Sequence, residues 1–306
     1  AFYDPIMASI IGLGCDGISA YWGKYFDMPG FTKPEDYDAG YLQSFPGGNA
    51  GIARHFVKKL NPAAIEGDTF EEILFGKINF AQLDQVNKPV RMRLNSTVVG
   101  VEHLKKLSTE ERVQITYAKD EVLSKLKAKA VVMASGGWVN RHILKDMPDE
   151  YHNAYAKFGH SPVLVANVAL TNWRFLERLG VAAGLWSGGF GFTCNIRRPM
   201  IIDGQSQPLD PDKPIVMTFY APIFKPGLTR KQQGIVGRTE LLSTSFEDYE
   251  RQIREQMTAM FSAGGFEPIR DIAGIILNRW GHAYVNPDLG FMFGQNNNLA
   301  PPDVIR

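Results

Sequence analysis

Three short stretches hold residues whose types and spacing suit chemistry. In "SIIGLGCDGISA", residues 9–20, Gly12, Gly14 and Gly17 have the G-x-G-x-x-G spacing of a turn that lets backbone approach a pyrophosphate. In "SFPGGNAGIAR", Gly47 and Gly48 precede a helix expected to begin at Asn49. Unpaired N–H groups and a partial positive charge at that helix start would stabilise a phosphate, a carboxylate or an electron-rich ring, although a tight turn before a helix needs no ligand at all. In "NRWGHAYVNP", Trp280, His282 and Tyr284 lie close together. Their faces suit a cationic amine or a flat conjugated ring, whereas a lone histidine is more often satisfied structurally.

Each stretch depends on the elements that position it. A dinucleotide turn needs a buried strand before it, a helix after it and an acid closing a second strand about 20 residues on. The helix is expected in "ISAYWGKYF", but only eleven residues precede Gly12 and Pro5 interrupts them. The acid nearest the required spacing, Glu35, lies among Pro29, Gly30 and Pro34, in a loop. These glycines therefore read as the Gly-rich start of a packed helix, and a nicotinamide-dependent enzyme built on them is the alternative. Residues 49–60 put Ile52, Ala53, Phe56, Val57 and Leu60 on one helical face opposite Arg54, Lys58 and Lys59, with Asn49 as N-cap. From Val90 the period falls to two, predicting a strand through "STVVGVEHL"; "VQITYA" predicts another, and "AKAVVMASGG" a short buried strand ending at Gly136 and Gly137. Beyond Pro148, "PVLVANVAL" and "IVMTFYAPIF" predict a second sheet. A helix follows with Ser245 and Asp248 at its start, an apolar stripe of Phe246, Tyr249, Ile253, Met257 and Met260, and Gly264 and Gly265 at its end.

Composition narrows the function classes. The 306 residues suggest about two domains or one large one, with 44% hydrophobic and 21% charged residues, as in an ordinary globular protein. A net charge of +1 gives no electrostatic basis for binding nucleic acid or membrane surfaces. The longest apolar runs fall well short of the roughly 20 residues that span a bilayer. Cys15 and Cys194 are too few for a disulfide framework and read as two buried thiols, and the six histidines are scattered. Hydrolase and metalloenzyme readings have no positive support.

Taken in order, "FPGGNAGIARHFVKKL", "RLNSTVVGVEH", "AVVMASGGWVNRHIL", "GGFGFTCNIRRPM" and "NRWGHAYVNP" resemble the flavin-containing amine oxidoreductases, and within them the bacterial spermidine dehydrogenases, over nearly the whole chain. The resemblance implies an α/β fold of mixed α+β character. In it, part of a glutathione-reductase-type FAD-binding domain alternates with a mixed-sheet substrate domain: residues 1–44 substrate, 45–147 FAD, 148–270 substrate and 271–306 FAD again. It implies FAD as cofactor, held by Gly47, Gly48 and Asn49 at the Gly-Gly turn, by the Val98 backbone at the adenine, by Gly136 and Gly137, and by Trp280 of an Arg-Trp motif. Tyr284 would stand near the substrate, with His282 and Asn167 as further catalytic candidates. Many amine oxidases carry a lysine at the position matched by Asn167, so the departure counts against an oxidase-type reaction with oxygen and leaves a dehydrogenase with another acceptor at least equally open. No metal is implied.

Two further expectations follow. The Rossmann fingerprint that opens the family's chain and the last flavin-contacting segment have no counterpart here. The FAD site is then incomplete, the chain reads as an internal portion of a longer polypeptide whose remaining segments are its partners, and alone it would be inactive. The substrate would be a small amine, with export to a bacterial periplasm or residence in the cytoplasm left open. A non-catalytic module that has lost its pyrophosphate site is the other alternative.

Overall fold

The computed structural model describes residues 3–31, 43–45, 47–104, 112–186, 188–191, 193–196, 198–199, 209–287 and 289–306. The expected loop around Pro34 and Glu35 lies outside these residues, as do residues 105–111. In chain order the elements are α1 (Asp4–Ile11), α2 (Ala20–Tyr25), β1 (Gln43–Ser44), α3 (Ala50–Leu60), α4 (Phe70–Phe75), β2 (Thr97–His103), β3 (Val113–Lys119) and β4 (Val122–Ala128). There follow α5 (Gly137–Ile143), α6 (Asp149–Ala156), β5 (Gly159–Leu170), α7 (Arg174–Leu179), β6 (Ala183–Leu185), β7 (Thr193–Ile196) and β8 (Arg198–Pro199). The chain ends with β9 (Ile215–Pro222), α8 (Arg230–Ser243), α9 (Phe246–Phe261), α10 (Pro268–Asp271), β10 (Ile272–Asn286) and α11 (Pro301–Val304). Two compact units result: Ala1–Tyr41 with Asn153–Arg197 and Pro208–Arg306, and Leu42–His152 with Arg198–Gln207.

The first unit is built on an antiparallel sheet of order β10-β5-β9-β7-β6. Alternation along β5 buries Leu164, Ala166, Val168 and Leu170 on one face and leaves Val165, Asn167 and Ala169 half-exposed on the other. Phe175 and Leu176 of α7 and Ile253, Met257 and Phe261 of α9 close the buried face, meeting Met217 and Phe219 of β9. Each such side chain contributes about 1.5–3 kcal/mol by leaving water. Ser245 caps α9 by accepting from the Asp248 N–H, as its sequence predicts, but Phe246 is 42% exposed and falls outside the buried stripe. Helix α8 comes close to the sheet through Gly234 and Gly237, where a β-carbon would lie 3.0 Å from the His160 carbonyl oxygen and 2.7 Å from Pro162 Cγ respectively.

On the other face, α1 packs over the end of the sheet near Ser161 and Asn286. A β-carbon on Gly12 would fall 2.6 Å from Ser161 Cβ. Gly12 also ends α1 in the left-handed conformation, its N–H donating to the Ala8 carbonyl, a role that suits glycine. The segment before the G-x-G-x-x-G spacing is thus a helix, and Cys15–Gly17 forms a 3-10 turn, so the strand-turn-helix of a dinucleotide site is not formed there.

In the second unit β2, β3 and β4 form an antiparallel meander, and β2 also bridges in parallel to the segment after α5 at Val101 and Leu144. Two expectations need correction. Residues 90–95 are not strand: Asn95 adopts φ 53°, which breaks the extended run and delays β2 to Thr97. The apolar run "AVVMA" at 130–134 is also not strand, and Val132 is 90% exposed, because no strand among the described residues pairs with it. Helix α3 keeps its predicted period, but its apolar stripe faces outward, with Ile52 43%, Phe56 64% and Leu60 51% exposed. Its inner side is polar instead: Arg54 Nε donates to the Ile73 carbonyl at 2.9 Å, and Arg54 also bonds the Gly76 carbonyl at the end of α4.

Candidate functional site

The open face of the five-stranded sheet is chemically distinctive. Register places Val165, Tyr220 and Thr193 in one row with Asn278, and Asn167, Thr218 and Asn195 in the next with Ile276. Gly274, Ala169 and Val216 follow. Among the described residues these three rows carry no Asp, Glu, Lys, Arg or His. The centre is polar and neutral: Thr218 Oγ1 donates to Asn167 Oδ1 at 3.0 Å. The rim is apolar and aromatic, with Ile276 66% and Trp280 57% exposed.

Tyr284 stands on the same face, opposite Ser161, whose hydroxyl donates to the Gly12 carbonyl at 2.5 Å. Burial pushes the Tyr284 phenol above its ordinary range, and Tyr220 adds to the shift, which puts the two phenols within electrostatic reach of each other. Ser161 and Asn167 are six residues apart on β5, roughly 20 Å along an extended strand. Asn167 and Tyr284 therefore share a face but are not in contact, and Tyr220 occupies the intervening row.

His282 has different neighbours. Pairing between β10 and β5 shifts register between Trp280 and Tyr284, and within that irregularity the His282 ring packs edge-on against His160, centroids 5.7 Å apart. Burial lowers both imidazole pKa values; the charges of His282, Arg238 and Arg230 lower His160 further, and Arg238 does the same to His282. In the alternation of β5, His160 falls on the face that α8 covers, where Arg238 Nη1 donates to its carbonyl at 3.4 Å. His282 thus sits with His160 and Arg238 rather than with Asn167 and Tyr284.

The residues assigned to FAD by resemblance, Trp280 apart, lie in the second unit. Gly47 and Gly48 adopt φ 72° and 81°. Glycine at 47 is also required by packing, since a β-carbon would meet Leu74 Cδ1 at 2.7 Å, whereas at 48 it would meet nothing within 4 Å. Asn49 is helical with no side-chain capping bond, and the first turn of α3 is tightened by bonds from the Gly51 and Ile52 N–H groups to the Gly48 and Asn49 carbonyls. Val98 sits at a bulge in β2, an edge strand whose outer side is covered near Val101 by the Lys145 N–H. Gly136 precedes α5 as its N-cap, and Gly137 opens it. For FAD the fit is partial. Space is open beside Gly48, although its N–H donates to the Phe45 carbonyl at 2.7 Å, and β2 is an edge strand near Val98, while the described residues contain no strand-turn-helix for the pyrophosphate.

Sequence reasoning missed Thr218, Asn195 and Tyr220. A polar side chain every second residue on β7 and β9 was the available signal, but it becomes a site only when register aligns it with Asn167.

No protein-family profile and no curated protein matches the chain. Among solved structures it is similar to a triple mutant of putrescine oxidase, with 11% identity over 63% of this chain and 36% of that one at a TM-score of 0.41. It is similar also to cyclohexylamine oxidase from Brevibacterium oxydans IH-35A, with 11% identity, 63% and 38% coverage and a TM-score of 0.39. Wild-type putrescine oxidase bound to putrescine gives 12% identity, 62% and 37% coverage and a TM-score of 0.39. The chain spans little more than a third of the length of these neighbours. At such scores the likeness bears no weight for function.

Proposed function

We propose that the chain is part of an FAD-dependent amine dehydrogenase acting on a polyamine of the spermidine type, and that the open sheet face is its substrate wall. The observation that carries this reading is the neutral Asn167–Thr218 pair at the centre of an uncharged face rimmed by Tyr220, Trp280 and Tyr284. A reacting amine must give up its proton before it loses a hydride, and rows that carry no carboxylate among the described residues favour the neutral form. Aromatic faces at the rim suit the nitrogens that stay cationic. The ordered motif resemblance adds the cofactor: bound FAD would accept a hydride from the carbon beside nitrogen, leaving an imine that water hydrolyses to an aldehyde and a smaller amine.

This chain's own contributions are then orientation and desolvation. The sheet face is rigid, backed by the core of α7 and α9, and holds the substrate chain along β5 and β9. By the same resemblance, the open space beside Gly48 would lie near the electron-rich ring, and the β2 edge near Val98 would meet the adenine. Further chain of the same polypeptide would cover the apolar stripe of α3 and pair with the run at 130–134. Purified from its native gene, the protein should reduce an artificial dye with spermidine or putrescine, with little turnover on oxygen alone. No turnover with any amine would overturn this reading.

A further inference from the structure

The hydrogen bond on the open face has a direction that matters. Thr218 and Asn167 are direct cross-strand partners on β9 and β5, and the hydroxyl donates to Oδ1 of the amide at 3.0 Å. An asparagine amide free to turn would offer a ligand either its carbonyl or its NH2 group. With Oδ1 engaged by a β-branched residue whose own rotamer is restricted by the strand, the amide is held in one orientation. The backbone on both sides is equally fixed, since Val168, Met217 and Phe219 are fully buried.

We propose that Thr218 is a positioning residue that locks the Asn167 side chain with its NH2 group presented as a donor to the bound molecule. Asn167 then recognises a group with a lone pair: the nitrogen of a neutral amine, or the water that follows it. It discriminates against an ammonium group, which has only donors. In the sequence Thr218 is one more strand threonine, and only the register shows what it faces. The assignment rests on the reading of this face as the substrate wall.

The test compares Thr218→Val, which keeps the shape and removes the hydroxyl, with Thr218→Ser, which keeps the hydroxyl, in the protein as purified from its native gene. With putrescine and an artificial acceptor, Thr218→Val should lower kcat/KM about tenfold, as expected for one oriented hydrogen bond. It should also shift the acid limb of the pH profile toward higher pH. Thr218→Ser should stay within about threefold of the parent. In protein labelled with 15N-asparagine, the two side-chain amide protons of Asn167 should move in Thr218→Val and hold in Thr218→Ser. Unchanged kinetics and unchanged amide resonances in Thr218→Val would overturn the assignment, as would a loss that Thr218→Ser does not rescue while both variants unfold at the same urea concentration. If the parent oxidises no amine, the proposed function fails, and the resonance comparison alone decides whether Thr218 fixes Asn167.

Discussion

Replacing Gly237 by alanine should weaken the first unit even though it removes a glycine from the interior of α8. Helix propensity alone favours the substitution by about 1 kcal/mol. Against that, the new β-carbon would lie 2.7 Å from Pro162 Cγ and 2.8 Å from the Ile223 carbonyl oxygen, where ordinary contact begins at 3.4 Å. Neither neighbour can turn aside: one is a proline ring, the other main chain, and the two residues are tied by the Ile223 N–H donating to the Pro162 carbonyl at 3.1 Å. Relieving the overlap requires α8 to move away from β5 and β9, and overpacking of this kind costs about 1–3 kcal/mol. The net expectation is a loss of about 1 kcal/mol, read as a lower urea midpoint in tryptophan fluorescence with an unchanged m-value. Gly274→Ala in β10, which meets nothing within 4 Å, should leave the midpoint unchanged or raise it. A Gly237→Ala protein more stable than its parent would refute the packing of α8 described here.

Other expectations are more local. His160 and His282 have pKa values below the ordinary 6.5, so the unfolded chain takes up protons that the folded chain still refuses. Stability should fall as pH drops through about 6.5 and level off only below the lowered native values; His160→Gln should flatten this slope in urea titrations between about pH 7.5 and 5, and an unaltered slope would count against the pair. Asn286 is 1% exposed with neither side-chain polar atom hydrogen-bonded, so Asn286→Leu should raise stability by about 1 kcal/mol, and a loss of that size in thermal melts would mean that the amide is satisfied. Burial pushes the Cys194 thiol up to about 12 while Cys15 is exposed, so a thiol reagent at about pH 8 should titrate one cysteine in the native state and both after denaturation. Two rapidly reacting thiols in the native state would contradict the burial of Cys194.

Local signals were legible where one chain segment decides the outcome. The stripe of α9, its Ser245 cap and the alternation of β5 follow from the spacing of Tyr249, Ile253 and Met257 and of Leu164, Ala166 and Val168. The context test that set aside Gly12, Gly14 and Gly17 also holds, because a proline early in the chain begins a helix as readily as it ends a strand. Sequence reasoning failed where a partner decides. The period of α3 was readable but the direction of its apolar face was not, since Arg54 reaches the carbonyl end of α4 and turns the stripe outward. An apolar run such as 130–134 becomes a strand only beside another strand. On the open face, Asn167 drew notice as a departure from a family pattern, but Thr218 required the register of β9, which no local pattern encodes. His282 stood out among the aromatics, yet a register shift in β10 takes it to His160.

The central claim is that the uncharged face of the five-stranded sheet serves amine oxidation at a flavin. The most direct measurement is the visible spectrum of the protein purified from its native gene, recorded without oxygen before and after adding putrescine or spermidine. The account predicts a flavin band near 450 nm, roughly placed, that bleaches on amine addition and bleaches more slowly when Asn167 is replaced by alanine. A protein that carries no flavin, or one whose flavin is untouched by amines, would contradict it.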